Sequence, residues 1–281
     1  MIAVALALGA AVVYGAGDFC GGLATRRSRP LAVTVVSHLV GLAIVLAALP
    51  IFPPDVWRAS DFGWGAIGGV LGGAGVALLY WGLAAGTMSV VAPVTGLMAA
   101  AVPVLAGLGM GERPAPIALV GIAAAMGAIV LVTWQPRREA PAPHVSARVV
   151  GLAVAAGLAF GVFFILLDRT SSDAGLFPLL GVRIASIALV GSIAVTTRSS
   201  LRPTADSLRP TLLAGVLDMG ANILYLLAVR EGLLAVVAVL TALYPATTVI
   251  LAQRLLAERL QPSQMLGLGT AAVAAAFIAV G

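Results

Sequence analysis

Four ionisable side chains stand inside long apolar runs: Asp18 in YGAGDFCGG, His38 in VVSHLVG, Arg183 in GVRIAS and Asp218 in GVLDMGANILY. A charge in hydrocarbon costs on the order of several kcal/mol and persists only where it is paired, faces a cavity or works. Asp218 shares a helical face with Asn222 and Tyr225 through spacings of four and three. A sequestered carboxylate can trade a proton for a substrate, because desolvation and a neighbouring cation pull on it in opposite directions. Asp218 is therefore the first candidate for a proton carrier, with Asp18 and His38 as alternatives. Each also has a plain reading. Arg183 could hold Asp218 permanently ionised, Asp18 lies within two turns of RRSR and could be hydrated there, and a lone histidine is often a core residue. Tyr14, Tyr80, Phe160, Tyr225 and Tyr244 could complete a pocket with Asn222. Such a wall, mixing rings with both signs of charge, suits a small polar or zwitterionic solute with an aromatic or apolar part.

Those residue types point to binding rather than catalysis. The chain has no H-E-x-x-H, no G-x-S-x-G and only 2 histidines, so an intramembrane enzyme would lack its nucleophile, base or metal. The single cysteine, Cys20, excludes an intramolecular disulfide and any cysteine-cluster metal site. No G-x-x-x-x-G-K-[ST] occurs, so ATP does not drive this chain and no cofactor is expected. Two charged dipeptides, Glu112-Arg113 and Glu258-Arg259, follow apolar runs and read as structural turns or as gates.

The elements that must carry these residues are membrane spans. With 61% hydrophobic and 10% charged residues and a mean hydropathy of +1.10, the composition excludes an ordinary soluble domain. About 20 apolar residues cross a bilayer. Ten such stretches lie near 2–24, 31–50, 63–85, 88–110, 116–134, 149–167, 176–196, 210–230, 233–256 and 262–280. They lack the alternation of barrel strands and are expected as helices. The first run has no basic flank and is too long for a signal peptide, so it reads as a retained span. Rows such as GAIGGVLGGAG (65–75) space small residues four apart, which lets helices approach closely. Pro93, Pro103 and Pro245 fall within spans and permit kinks. All 16 cationic side chains are arginine, so the pI near 10.3 reflects composition and is no nucleic-acid footprint.

The chain says one short phrase twice. MGERPAPIALVG (110–121) returns as LAERLQPSQMLG (256–267), an offset of 146 residues, and SVVAPVTGL (89–97) returns as AVVAVLTAL (235–243). Tyr14 and Phe160 occupy equivalent places, each before a glycine. Residues 1–134 and 149–281 thus read as two five-span repeats around a 135–148 linker. An odd number of spans sends the second copy into the membrane from the opposite side. Inverted repeats place a site at the bilayer midplane and allow it to open to either side in turn, which is the architecture of a transporter. A passive channel is the nearest alternative, since duplication also builds pores.

The second repeat's end, LYPATTVILAQRLLAERLQPSQMLGLGTAAVAAAFIAV (243–280), resembles the last two helices of EamA-type members of the drug/metabolite transporter superfamily. APVTGLMAAAVPVLAGLGMGERPAPIALVGIAAAMGAIVLV (92–132) fits the same pattern. The resemblance implies a multi-pass carrier of the bacterial inner membrane, often an exporter of amino acids or related metabolites. It also implies a central cavity lined by spans 1, 3 and 4 with 6, 8 and 9. One departure is His38 where such proteins often carry arginine in span 2, while span 7 keeps Arg183. Expected partners are a small-molecule substrate, lipid and protons as a coupling ion, with no nucleic acid; the chain would be a monomer or homodimer. Orientation is open. The loops at 25–31, 135–148, 197–209 and 253–261 are rich in arginine, while the opposite loops hold Arg58, Arg113, Arg169 and Arg230. That asymmetry puts the termini outside, whereas the resemblance puts them inside.

Overall fold

The computed structural model describes residues 1–85, 88–134, 146–256 and 260–281. Glu258, Arg259 and most of the central linker fall outside the described residues, as do the side chains of Tyr80 and Pro93. The described residues form helices joined by short loops: α1 (Ile2–Thr25), α2 (Pro30–Ala48), α3 (Ala59–Ala85), α4 (Met88–Gly109), α5 (Pro116–Thr133), α6 (Ala147–Asp168), α7 (Phe177–Thr196), α8 (Ala205–Glu231), α9 (Leu234–Thr241), α10 (Tyr244–Leu256) and α11 (Pro262–Val280). Proline opens α2, α5 and α11, where its missing N–H is one of the donors a first turn leaves unbonded anyway. Nine segments among the described residues are long and apolar enough to cross a membrane, and Val94–Gly109 is a shorter apolar stretch.

The ninth expected span differs from its sequence reading, because it arrives as two helices, α9 and α10, separated at Ala242 and Leu243. Pro245 supplies the reason. It has no N–H to offer the carbonyl of Thr241, one turn back, and it disfavours helical geometry at Tyr244 before it. Pro103 sits inside α4 without ending it.

The glycine rows serve close packing. Gly65 and Gly69 of α3 rest on α7, where a Cβ would overlap the carbonyl oxygens of Pro178 and Val182. With the backbones this near, neither helix can retreat without separating the other contact. Gly69→Val should therefore destabilise the protein by about 1–3 kcal/mol, the usual range for overpacking. Thermal unfolding in detergent would measure it, with Gly63→Ala, where a Cβ meets nothing within 4 Å, as the neutral comparison.

Both ends of the bundle are stitched between the halves. At the arginine-rich end, Ser28 Oγ and Ser207 Oγ lie 2.6 Å apart, and Thr204 N donates to Ser28 Oγ at 2.8 Å. At the opposite end, Arg58 pairs with both oxygens of Asp173, Nη2 donating to Oδ2 at 2.8 Å. The buried Asp61 carboxylate beside them accepts from Ser171 N at 2.8 Å, and Asp55 N donates to Asp173 O at 2.9 Å. The hydrogen bonds from Arg58 hold the Asp173 carboxyl below its ordinary range. A carboxyl depressed in the folded state contributes above its unfolded range and loses that contribution as pH falls through its folded value. This end of the bundle should loosen below about pH 4, where unfolded carboxylates begin to take up protons. Hydrogen exchange in the 52–61 and 170–176 loops would register the change. Arg58→Gln should flatten the acid response, and an identical profile in wild type and variant would refute the assignment.

Candidate functional site

A cavity of about 220 Å³ lies within the bundle. Its polar side is built from His38 of α2, Arg183 and Ser186 of α7, and Asp218 and Asn222 of α8. Its apolar side carries Tyr14 of α1, Phe160, Phe163 and Phe164 of α6, and Tyr244 of α10. Gly69, Gly72 and Gly73 of α3 form a third wall. Asp18, one turn after Tyr14, completes the lining. Tyr14 meets Phe164 and Tyr244 edge-on, each with ring centroids 6.5 Å apart.

Arg183 and Asp218 are paired, Nη2 donating to Oδ2. The arginine side chain is 4% exposed and the carboxylate 35%, so the pair presents its acidic member to the cavity. Gly41 of α2 makes this arrangement possible, because a Cβ there would fall 2.8 Å from Arg183 Nε. That Nε, His38 Nδ1 and Asn222 Oδ1 are buried without hydrogen-bond partners among the described residues. Asn222 Nδ2 is engaged, donating to the Asp218 carbonyl at 2.7 Å. Asp18 has no hydrogen bond or ion pair with any described residue, and its residue is exposed to the cavity.

Of the sequence candidates, Tyr14, Asp18, His38, Phe160, Arg183, Asp218, Asn222 and Tyr244 line this space. Tyr225 does not. It is fully buried, its hydroxyl donates to Phe164 O at 3.1 Å, and its ring stacks on Phe164 at 4.5 Å. Seven residues beyond Asp218, it shares the helical face but sits about 10 Å further along the axis, past the cavity. Of the two cavity carboxylates, Asp218 is paired with Arg183, while Asp18 has no ion pair among the described residues. Ser186, Phe163, Phe164 and the glycine wall were missed. Spacing could have found Ser186 and Phe164, which follow Arg183 and Phe160 by three and four residues.

A second cavity of about 590 Å³ shares Asp18, Leu79 and Tyr244 with the first. It runs past Thr95 and Thr248 to Arg26, Thr133, Leu256 and Gln264, at the arginine-rich end. Toward the opposite end the interior is filled: Tyr225, Leu226, Leu234, Val237 and Leu240 are all 0% exposed. There Glu112 seals α4 to α9. Gly111, at φ 98°, ends α4 with Glu112 N bonded to Gly107 O and Gly111 N bonded to Leu108 O, the geometry that reverses a helix C-terminus. The reversal aims the carboxylate at α9, where its oxygens accept from Leu234 N at 2.6 Å and Ala235 N at 2.9 Å. An anion unfavourable beside its own helix's C-terminus is thus placed at another helix's N-terminus, where it is favoured. Arg113 stays local, donating to the carbonyls of Glu112 and Leu108.

This architecture is shared with known proteins. The EamA-like transporter family pattern matches residues 1–134 and again residues 147–280. The chain belongs to the EamA-like transporter family. Its members are membrane transporters of the drug/metabolite type, not enzymes, and the family with the apolar helices makes this chain a multi-pass membrane protein. No curated protein matches it. One solved crystal structure superposes with a TM-score of 0.81 at 15% identity, covering 99% of this chain and 96% of that one. At that identity the likeness speaks for the fold alone. In this EamA-like chain the two matches begin at residues 1 and 147, so each contributes helices to both cavities.

Proposed function

We propose that this protein is a secondary carrier that moves small polar metabolites across the bacterial inner membrane by alternating access, without ATP, in the direction of export. The observation that carries the reading is the asymmetry of the cavities. A central chamber communicates at Asp18 and Tyr244 with a vestibule at one end, while the other end is packed shut and latched by Glu112. A passive pore would need a path to both ends, and the buried wall from Tyr225 to Leu240 argues against one. Two inverted five-helix repeats explain how such a carrier could reverse. In support, the α1–α2 loop meets the α7–α8 loop at one end, and the α2–α3 loop meets the α6–α7 loop at the other. That is the pairing expected if the second half is the first turned over. The structure is then a state open toward the arginine-rich side, which the charge rule assigns to the cytoplasm.

Counterflow in proteoliposomes tests the reading. Vesicles preloaded with a panel of amines, amino acids and hydroxylated metabolites should take up the matching labelled solute with saturation, and uptake should accelerate when solute is present on the far side. Linear uptake without acceleration would favour the channel.

A further inference from the structure

The charges in the central cavity do not balance. Arg183 and Asp218 neutralise one another, and the Arg183 side chain is only 4% exposed, with its Nε buried against Gly41. His38 offers no fixed charge when neutral. That leaves Asp18, a carboxylate unpaired among the described residues, at the one place where chamber and vestibule meet. Beside it stand Tyr14, one helical turn back, and Tyr244, whose ring lies 6.5 Å from that of Tyr14, with Phe160 in the same chamber. A carboxylate flanked by aromatic rings recognises an alkylammonium group, by charge and by attraction of the cation to the rings.

We infer that the substrate binds through a positively charged amine held by Asp18, so that the carrier takes organic monocations in preference to zwitterionic amino acids. This rests on the carrier reading above and names its substrate class. A zwitterion would bring a second charge with no unpaired arginine to meet it among the described residues that line the chamber, since Arg183 is already committed to Asp218. The same carboxylate can hold a proton when the amine has left. Binding a monocation then releases one proton, and a cycle exchanging the two moves no net charge. The groups that face Asp18 and set this competition are Asp218 of α8 with its partner Arg183, Tyr244 of α10, His38 of α2, Tyr14 of α1, and Arg26 just beyond the end of α1. The polar atoms of Ser186 and Asn222, across the chamber, suit a hydroxyl or amide on the uncharged part of the ligand.

Phenyltrimethylammonium is the probe, because its charge is permanent and it cannot cross lipid as a free base; phenylalanine and phenylacetate supply the zwitterion and the anion of similar size. In purified protein, the ammonium should raise the unfolding temperature and release protons in weakly buffered solution, while phenylacetate should do neither. Asp18→Asn should weaken ammonium binding at least about tenfold, a value typical of losing one partly desolvated charge pair, and abolish proton release. Asp18→Glu should keep both, which separates charge from a general folding defect. In vesicles, net uptake of the ammonium should be driven by an outward proton gradient and not by a membrane potential. Phenylalanine counterflow that persists in Asp18→Asn would overturn the inference and leave the carrier reading standing. Ammonium binding that depends on Asp18 with no counterflow of any probe would do the reverse.

Discussion

Arg183→Met should lower stability by about 3 kcal/mol, while Arg183→Met combined with Asp218→Leu should recover most of the loss. Removing one member of a buried ion pair leaves the other without compensation, at roughly 3–5 kcal/mol, whereas replacing both by apolar groups is often neutral. The low end applies because the Asp218 side chain keeps 35% of its surface, so the cavity hydrates it partly. Chemical unfolding in detergent of the two single variants and the double variant measures the coupling directly. Near-additive losses would mean that Arg183 and Asp218 contribute separately and that the neutrality of the chamber has been misjudged. The double variant also separates structure from transport: a stable protein with altered solute kinetics would assign the pair to substrate orientation as well.

The second large effect is expected at Glu112. Glu112→Ala removes two hydrogen bonds from a carboxylate to the first free N–H groups of α9, a capping loss of about 1–2 kcal/mol. If this contact holds the opposite end shut, that energy shifts the balance of open and closed states about tenfold. A thiol introduced by Val237→Cys, in a chain with Cys20→Ser, is the reporter, since position 237 is 0% exposed in the closed end. Its reaction with an impermeant maleimide from the arginine-poor face should accelerate accordingly, with Glu112→Gln intermediate because it keeps an acceptor oxygen and loses the charge. An unchanged labelling rate would make Glu112 a structural turn and no latch.

Much of the architecture could be read from the chain because lipid leaves so few choices. Apolar runs of span length must fold as helices, since no water is present to satisfy their backbone groups, and the repeated phrase around Glu112 and Glu258 marks a duplication whatever the packing. The four ionisable residues within those runs were conspicuous for the same reason, and all four line one cavity. Residue spacing specifies which face of a helix a side chain occupies. It does not specify depth along the axis or the identity of the helix across from it. Tyr225 therefore shares the face of Asp218 and still belongs to the packed core. Spacing alone left open which cation, if any, Asp218 meets; Gly41 makes room for Arg183 beside it, and Asp18 has no such partner among the described residues. Glu112 read from the sequence as a structural turn or a gate, and only folding brings α9's N-terminus, more than 120 residues away in the chain, within 2.6 Å of it. Burial and local propensity are properties a sequence carries by itself. Charge partners arise from close approach between distant segments, and those contacts exist only once the helices have packed.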